Sequence, residues 1–522
     1  MSPAAEAVLR FDHARWPQAQ ALRHRALVAL QPDGSASLLA DRPVDALLLQ
    51  LAEARLAAPL RWQQVDTALL DTWLAQGEQD GRALDTFGAD ATSATSFTSA
   101  THATHATHAT AGPATADPAT QELSLAGLTA ETSPAVRLLD AVLFDALKDG
   151  ASDIHIECQP RGAQLRLRRD GVMQPLRSID GAALAEQMVS RLKVMAELDI
   201  GERRLPQDGR FKLRVQGREV DFRLSIMPSV FGEDAVVRLL DRSHLAPGGA
   251  ALTLQALGFD PALRAAVLGL ARAPHGMLLV TGPTGSGKTT TLYAAITEVH
   301  TGREKVITIE DPVEYQLAGV VQIPVNERKG LGFARGLRSI LRHDPDRVMV
   351  GEIRDTETAQ IAVQAALTGH LVFSTVHANS AFDVIGRFMH MGLDLYNVVS
   401  ALNAVLAQRL LRQVCSQCAE PVAATAAEQA LLGDGQGSPL QLRRGRGCAQ
   451  CHGSGYRGRQ AVAELLRLDD GLRDLIAARA PLSEIKQAAR TRGLQTLREA
   501  ALAAVRQGRT TLEELERVVG TD

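Results

Sequence analysis

The stretch Gly276-Met-Leu-Leu-Val-Thr281, Gly282-Pro-Thr-Gly-Ser-Gly-Lys-Thr289, Thr290-Thr-Leu-Tyr-Ala-Ala-Ile296 decides the fold of this chain. Its centre fits G-x-x-x-x-G-K-[ST], a phosphate-binding loop. The flanks give that loop the context it needs, an apolar run that reads as a buried strand before it and a helix after it. Glycines let backbone N–H groups turn inward around phosphates, and the helix N-terminus adds a positive dipole. Gly282, Pro283, Thr284, Gly285, Ser286, Gly287, Lys288, Thr289 and Thr290 are therefore expected to cradle a nucleotide. Lys288 would reach the β- and γ-phosphates, and Thr289 would ligate Mg²⁺.

Beyond the loop, Lys305–Glu310, Arg347–Gly351 and Gly369–Thr375 read as apolar strands separated by helical stretches. That alternation predicts an α/β fold, a parallel sheet with helices on both faces. Ligands of such sheets sit at the carboxyl ends of the strands. Glu310, Asp311, Glu352 and His377 fall there. Hydrolysis of a γ-phosphate needs a positioned water and a neutralised leaving group. Glu352 is the candidate base, and His377 is placed to sense the γ-phosphate. Many NTPases carry an Asp just before that Glu; here the position is Gly351, which leaves Glu310, Asp311 and Glu314 to supply negative charge.

Cys415-x-x-Cys418 and Cys448-x-x-Cys451 form a second constellation. Two such pairs can offer four thiolates to a tetrahedral Zn²⁺, and a closed Cys₄ site is structural. The 29 residues between the pairs exceed the common ribbon spacing. Cys158 stands apart and reads as a small buried hydrophobe. Arg443, Arg444, Arg446, Arg457 and Arg459 surround the second pair, either as a basic face for an acidic partner or lipid headgroups, or as a solvated loop.

The whole chain has 522 residues, 45% hydrophobic and 22% charged, with a formal net charge of −3. Those proportions are ordinary for a soluble globular protein. No apolar run approaches the roughly 18 residues that span a bilayer. The start, Met1-Ser-Pro-Ala-Ala-Glu-Ala7, lacks the pattern of a signal peptide. A cytoplasmic protein is expected. Only 7 of the 56 basic residues are Lys, and near-neutral charge argues against a nucleic-acid-binding surface.

Residues 1–85, with Trp16, Trp62 and Trp73, read as a small folded domain. Residues 86–121 are mostly Ala, Thr, Ser, Pro and His, which cannot bury enough apolar surface to offset ordering entropy. They read as a disordered linker. His102, His105 and His108 within it are compatible with metal binding but fit a repeat expansion better. Residues 122–245 read as a small α+β domain. Its helix starts at Ser133-Pro134, and its strands cover Asp153–Glu157, Gln164–Arg169, Phe211–Val215 and Val220–Leu224. Pro247-Gly-Gly249 then separates it from the nucleotide-binding part.

Four segments together resemble the secretion ATPase superfamily, in particular the type II secretion ATPases and their relatives that assemble type IV pili. They are the phosphate loop, Ile307-Thr-Ile-Glu-Asp-Pro-Val-Glu314, Asp344-Pro-Asp-Arg-Val-Met-Val-Gly-Glu-Ile-Arg-Asp355 and Ser374-Thr-Val-His377. Gly453-Ser-Gly-Tyr-Arg-Gly-Arg459 also looks familial. The likeness covers about residues 123–522. It implies a RecA-like ATPase domain at 246–411, a preceding PAS-like α+β domain, a Cys₄ zinc module at 412–460 and a C-terminal helical region at 461–522. It further implies ATP, Mg²⁺ and Zn²⁺, with Lys288, Glu352, His377 and Glu310 as catalytic residues and Gly351-Glu352 as the usual form. Arg210 and Arg223 of the α+β domain are expected to reach nucleotide, and Arg335, Arg338 and Arg342 also match family arginines.

From the same likeness follows a homo-hexamer, peripheral on the cytoplasmic face of the bacterial inner membrane. Its N-terminal region would dock on a membrane-anchored platform protein, and acidic phospholipids are a possible contact. Such a motor powers pseudopilus assembly and protein export. A type IV pilus or DNA-uptake ATPase is the alternative of the same mechanism. A nucleic-acid translocase with a zinc module is the alternative of another class, disfavoured because a basic stripe and helicase motifs are lacking.

Overall fold

The computed structural model describes residues 10–13, 15–16, 18–30, 35–80, 84, 122–123, 133–215, 217–240, 252–432 and 440–520. The expected linker at 86–121 with its three histidines, and the Pro247–Gly249 spacer, lie outside the described residues. Two compact units divide at His244 and Leu245.

The first unit contains two sheets. The smaller has the order β1 (Arg10–Phe11), β2 (Ala26–Leu30), β3 (Ala36–Ala40), β4 (Arg61–Gln64). Its core gathers Trp16, Leu27, Leu38 and Leu70, and the Trp16 indole donates to the Ala26 carbonyl at 2.9 Å. The larger sheet comprises β5 (Glu122–Leu123), β6 (Asp153–Gln159), β7 (Gly162–Arg169), β8 (Val172–Asp180), β9 (Gln207–Val215), β10 (Arg218–Ser229) and β11 (Gly232–Leu240). Their order is β5-β9-β10-β11-β6-β7-β8. The helix Pro134–Lys148 opens with proline in its first turn, as expected, although the Ser133 side chain makes no capping bond. It and the helix Ala182–Met195 bury their apolar faces on one side of this sheet, with Phe222, Leu165 and Ile154 at the centre. Strict alternation on β9 and β10 turns every second side chain to the other, polar face.

The second unit is built on a seven-stranded sheet. Its strands are β12 (Gly276–Thr281), β13 (Val306–Glu310), β14 (Val321–Pro324), β15 (Arg347–Val350), β16 (Leu371–Val376), β17 (Leu402–Val414) and β20 (Tyr456–Arg467). They run in the order β14-β13-β15-β16-β12-β17-β20. Six are mutually parallel, and only β17 with β20 is antiparallel. The inner strands are buried throughout, which is why they read as continuous apolar runs. Separate buried clusters cover the two faces. One includes Leu278, Val280, Phe373 and Leu406 under the helix Lys288–Val299. The other includes Leu279, Val350, Val376 and Val405 under the helices Thr356–Leu367, Ala381–His390 and Leu395–Ala401.

Sequence reading overlooked β17 and β20, and they redraw the map. The expected borders at 411/412 and 460/461 fall inside these two strands. The cysteine segment is thus an excursion between two strands of the main sheet. It holds its own hairpin of β18 (Ala419–Ala423) and β19 (Gln441–Gly445). The helices Asp470–Ala477, Leu482–Thr491, Leu497–Arg506 and Leu512–Val519 bury Leu472, Ile485, Ala501 and Leu515 in the same core as the sheet. The C-terminal region is helical as expected, but it shares that core.

Candidate functional site

The phosphate loop leaves β12 at its carboxyl end, and the helix Lys288–Val299 begins at Gly287, in the left-handed region. A side chain would fit at neither flanking glycine. A Cβ on Gly282 would lie 2.5 Å from the Gln408 carbonyl oxygen, and one on Gly287 would lie 3.0 Å from the Gln408 Nε2. Lys288 is buried and donates to the carbonyl oxygens of Gly282 at 3.0 Å and Pro283 at 3.1 Å. Burial pulls its pKa down while the Glu352 carboxylate pulls it up. The Ser286 hydroxyl is a buried polar atom with no hydrogen-bond partner.

Glu352 follows β15, next to β16. Its turn is fixed at three points. The Gly351 N–H donates to Ile309 O at 2.8 Å, the Ile353 N–H to Thr375 O at 2.9 Å, and the Thr375 hydroxyl to Gly351 O at 2.8 Å. His377 follows β16, and the Thr281 hydroxyl at the foot of the phosphate loop binds the carbonyls of Val376 and Ala378, each at 2.9 Å. The His377 Nε2 stands 3.5 Å from Glu352 Oε2. Burial lowers the His377 pKa, as does the Lys288 ammonium, against the opposing pull of Glu352. Lys288, Glu352 and His377 therefore form one electrostatic group at the carboxyl ends of three adjacent strands.

Glu310 does not join them. It is 2% exposed. Its carboxylate accepts from the Tyr293 hydroxyl, the Thr308 hydroxyl and the Gln322 amide. Those donors hold it under the second turn of the loop's helix, so in this structure it braces that helix. Arg210 and Arg223 are directly paired across β9 and β10 on the polar face of the first unit's larger sheet. Arg338 pairs with Glu357 at 2.6 Å.

Three residues went unnoticed in the sequence. Arg354 is ion-paired with Glu352, and its other nitrogen is 3.9 Å from Asp311. Gln408 is 1% exposed. It donates to Ser286 O at 2.7 Å and accepts from the Thr291 hydroxyl at 2.7 Å. Arg409 donates to Asn379 O at 2.8 Å. Arg354 lies inside a motif segment already singled out; Gln408 and Arg409 carry no local signal, because pairing of β17 with β12 brings them in.

The four cysteines converge. Their sulfurs all lie within 4.8 Å of one another. The separations are 3.9 Å for Cys415–Cys448, 3.8 Å for Cys418–Cys451 and 3.7 Å for Cys448–Cys451. Four thiolates about 2.3 Å from a tetrahedral ion stand roughly 3.8 Å apart, so the set fits Zn²⁺. The N–H groups of Cys448 and Gly455 point at the Cys451 sulfur from 3.1 and 3.3 Å. Burial opposes a Cys451 thiolate, but these donors and the neighbouring cysteines bring its pKa down to about 6. Cys158 is half-buried against the first unit's core, with its thiol 3.2 Å from Glu233 O. Of the nearby arginines, Arg444 and Arg446 are paired with Glu428 and Glu420, and Arg457 binds Gln450. Three of the five arginines are thus engaged in local pairs.

Comparison with known proteins finds a match to the family model described as Type II/IV secretion system protein, over residues 129–517. The chain is 49% identical over 388 residues to the Type II secretion system protein E of Pseudomonas aeruginosa, covering 74% of this chain and 76% of that one. It is 47% identical over 388 residues to the Type II secretion system ATPase E of Vibrio cholerae, with the same coverage of 74% and 76%. The Type IV pilus assembly ATPase PilB of Myxococcus xanthus is 44% identical over 401 residues, 76% of this chain and 70% of that one. Among solved structures, the Legionella pneumophila ATPase DotB shares the fold with a TM-score of 0.54 at 20% identity, covering 77% of this chain and 97% of that one.

Proposed function

This chain belongs to the Type II/IV secretion system protein family, and from that premise we propose that it hydrolyses ATP to power protein export by a type II secretion system. The observation that carries the reading is the convergence of Lys288, Glu352 and His377 on the mouth of the phosphate loop. Lys288 holds the phosphates, Glu352 orients and deprotonates the attacking water, and His377, kept neutral, hydrogen-bonds at the γ-phosphate. Arg354 holds the Glu352 carboxylate aimed. Bound Mg²⁺ would neutralise charge on the phosphate oxygens; Thr289 and the exposed Asp311 are the residues that would hold it.

In purified protein, Glu352→Gln should keep ATP binding and lose about a hundredfold or more in turnover, the scale of a lost general base. Lys288→Ala should weaken nucleotide binding itself. Turnover by Glu352→Gln close to wild type would remove Glu352 from its role.

The protomer closes into a homo-hexamer through a head-to-tail interface. It works on the cytoplasmic face of the inner membrane, recruited by residues 1–85 to a membrane-anchored platform protein and tethered by 86–121. The α+β domain at 122–245 lends Arg210 and Arg223 to the nucleotide, and hinge motion against the ATPase domain does the work. Cys415, Cys418, Cys448 and Cys451 hold one structural Zn²⁺. A pilus-assembly motor is the second reading, favoured by the 44% identity to PilB.

A further inference from the structure

Arg409 sits on β17, two residues past Ala407, which pairs with Thr281 at the end of β12. Its guanidinium donates through Nη2 to Asn379 O at 2.8 Å and through Nη1 to Gln408 O at 3.0 Å. Asn379 belongs to the segment that follows β16. Strand order is β16-β12-β17, so β12 lies between the two ends of this contact. Neighbouring strands are about 4.8 Å apart, so β17 and β16 are separated by roughly 10 Å. An arginine side chain of roughly 7 Å and one hydrogen bond are needed to cross that gap. The Arg409 guanidinium therefore spans the carboxyl end of β12, where the phosphate loop begins.

Among the described residues no carboxylate lies within ion-pair distance of Arg409; its hydrogen-bond acceptors are the two backbone carbonyls. Burial lowers its pKa, and Glu464, its diagonal neighbour across β17 and β20, pulls the other way without closing an ion pair. Arg409 is near enough to Lys288 to depress that pKa too. A half-buried guanidinium beside another cation is costly unless an anion joins them. Two of its five N–H donors are used, which leaves a fork suited to phosphate.

We propose that Arg409 is a further nucleotide ligand, contacting the terminal phosphate of ATP from the same chain that supplies Lys288. This rests on the ATPase reading above and adds a residue to it. The contact to Asn379 also ties the guanidinium to the His377 segment, so it is held over the loop before nucleotide arrives.

The test uses the full chain and fluorescent analogues of ATP and ADP. Arg409→Gln should weaken binding of the triphosphate by about tenfold or more, the scale of a charge-assisted hydrogen bond. Diphosphate binding should change less than about threefold, because the lost contact is to the terminal phosphate. Arg409→Lys, which keeps charge without the fork, should fall between the two. Equal loss for both nucleotides, or unchanged affinity for both, overturns the assignment. Urea unfolding of each variant identifies any equal loss that comes from a disturbed fold. Wild-type turnover is measured alongside. A wild-type chain that binds both nucleotides but does not hydrolyse ATP defeats the ATPase reading and leaves the binding comparison intact.

Discussion

Gln408→Met is the sharpest probe of how the phosphate loop is held. Methionine has nearly the length and volume of glutamine, so packing changes little. What disappears is the amide that donates to Ser286 O and accepts from the Thr291 hydroxyl, both at 2.7 Å. A buried group left without its partner costs about 1–3 kcal/mol. The Thr291 hydroxyl can recover by turning to the carbonyl one helical turn back, at Gly287. The Ser286 carbonyl has no such recourse, so the net cost is about 1–3 kcal/mol, concentrated in the loop. If nucleotide binding must restore the loop's shape, that energy appears as a loss of roughly 5- to 150-fold in ATP affinity. Titration of a fluorescent nucleotide measures it directly, with urea unfolding separating a local from a global effect. Gln408→Glu should be at least as damaging, because it sets an oxygen against the Ser286 carbonyl. Affinities within twofold of wild type for both variants would refute the view that β17 shapes the loop.

The pH response of His377 follows from its lowered pKa. The unfolded chain takes up this proton near 6.5 and the folded chain only below that. The stability contribution is therefore complete above about 6.5 and is lost as pH falls through the folded value. The acid limb of the ATPase profile should lie below pH 6.5 and shift in His377→Gln; an unchanged limb would assign it elsewhere. Elemental analysis should find one zinc per chain, lost in Cys418→Ser and kept in Cys158→Ser; a well-folded, zinc-free protein under reducing conditions would count against the metal site. Deleting residues 1–121 should preserve basal hydrolysis and abolish membrane recruitment. That deletion also removes Leu22 and Leu84 from the core of the larger sheet, and the Leu84 N–H bond to Asp145, so a modest loss of stability is expected; normal recruitment would end the docking assignment.

How much was legible without coordinates depended on whether the signal was local. Gly282–Thr290, with an apolar strand before it and a helix after it, carried the fold class and most of the nucleotide site, because loop, strand and helix are written in consecutive residues. Each C-x-x-C pair was legible for the same reason, and the two pairs named the four-cysteine cluster. Glu352 and His377 were readable as strand-end residues, since buried parallel strands are continuous apolar runs.

Other features were settled by tertiary structure alone. Leu402–Val414 is rich in Leu, Ala, Gln and Arg, all good helix formers. It is a strand because β12 on one edge and β20 on the other satisfy its backbone. That pairing brings Gln408 and Arg409 to the phosphate loop and makes the cysteine segment an outgrowth of the main sheet. Glu310 is one residue from the exposed Asp311, yet it is sealed by Thr308, two residues back on its own strand, and by Tyr293 and Gln322, which only the packed helix and neighbouring strand bring to it. A sequence fixes which groups exist and which are neighbours along the chain. Which of them meet across strands depends on register and layer order, and those are set by burying all the apolar faces at once.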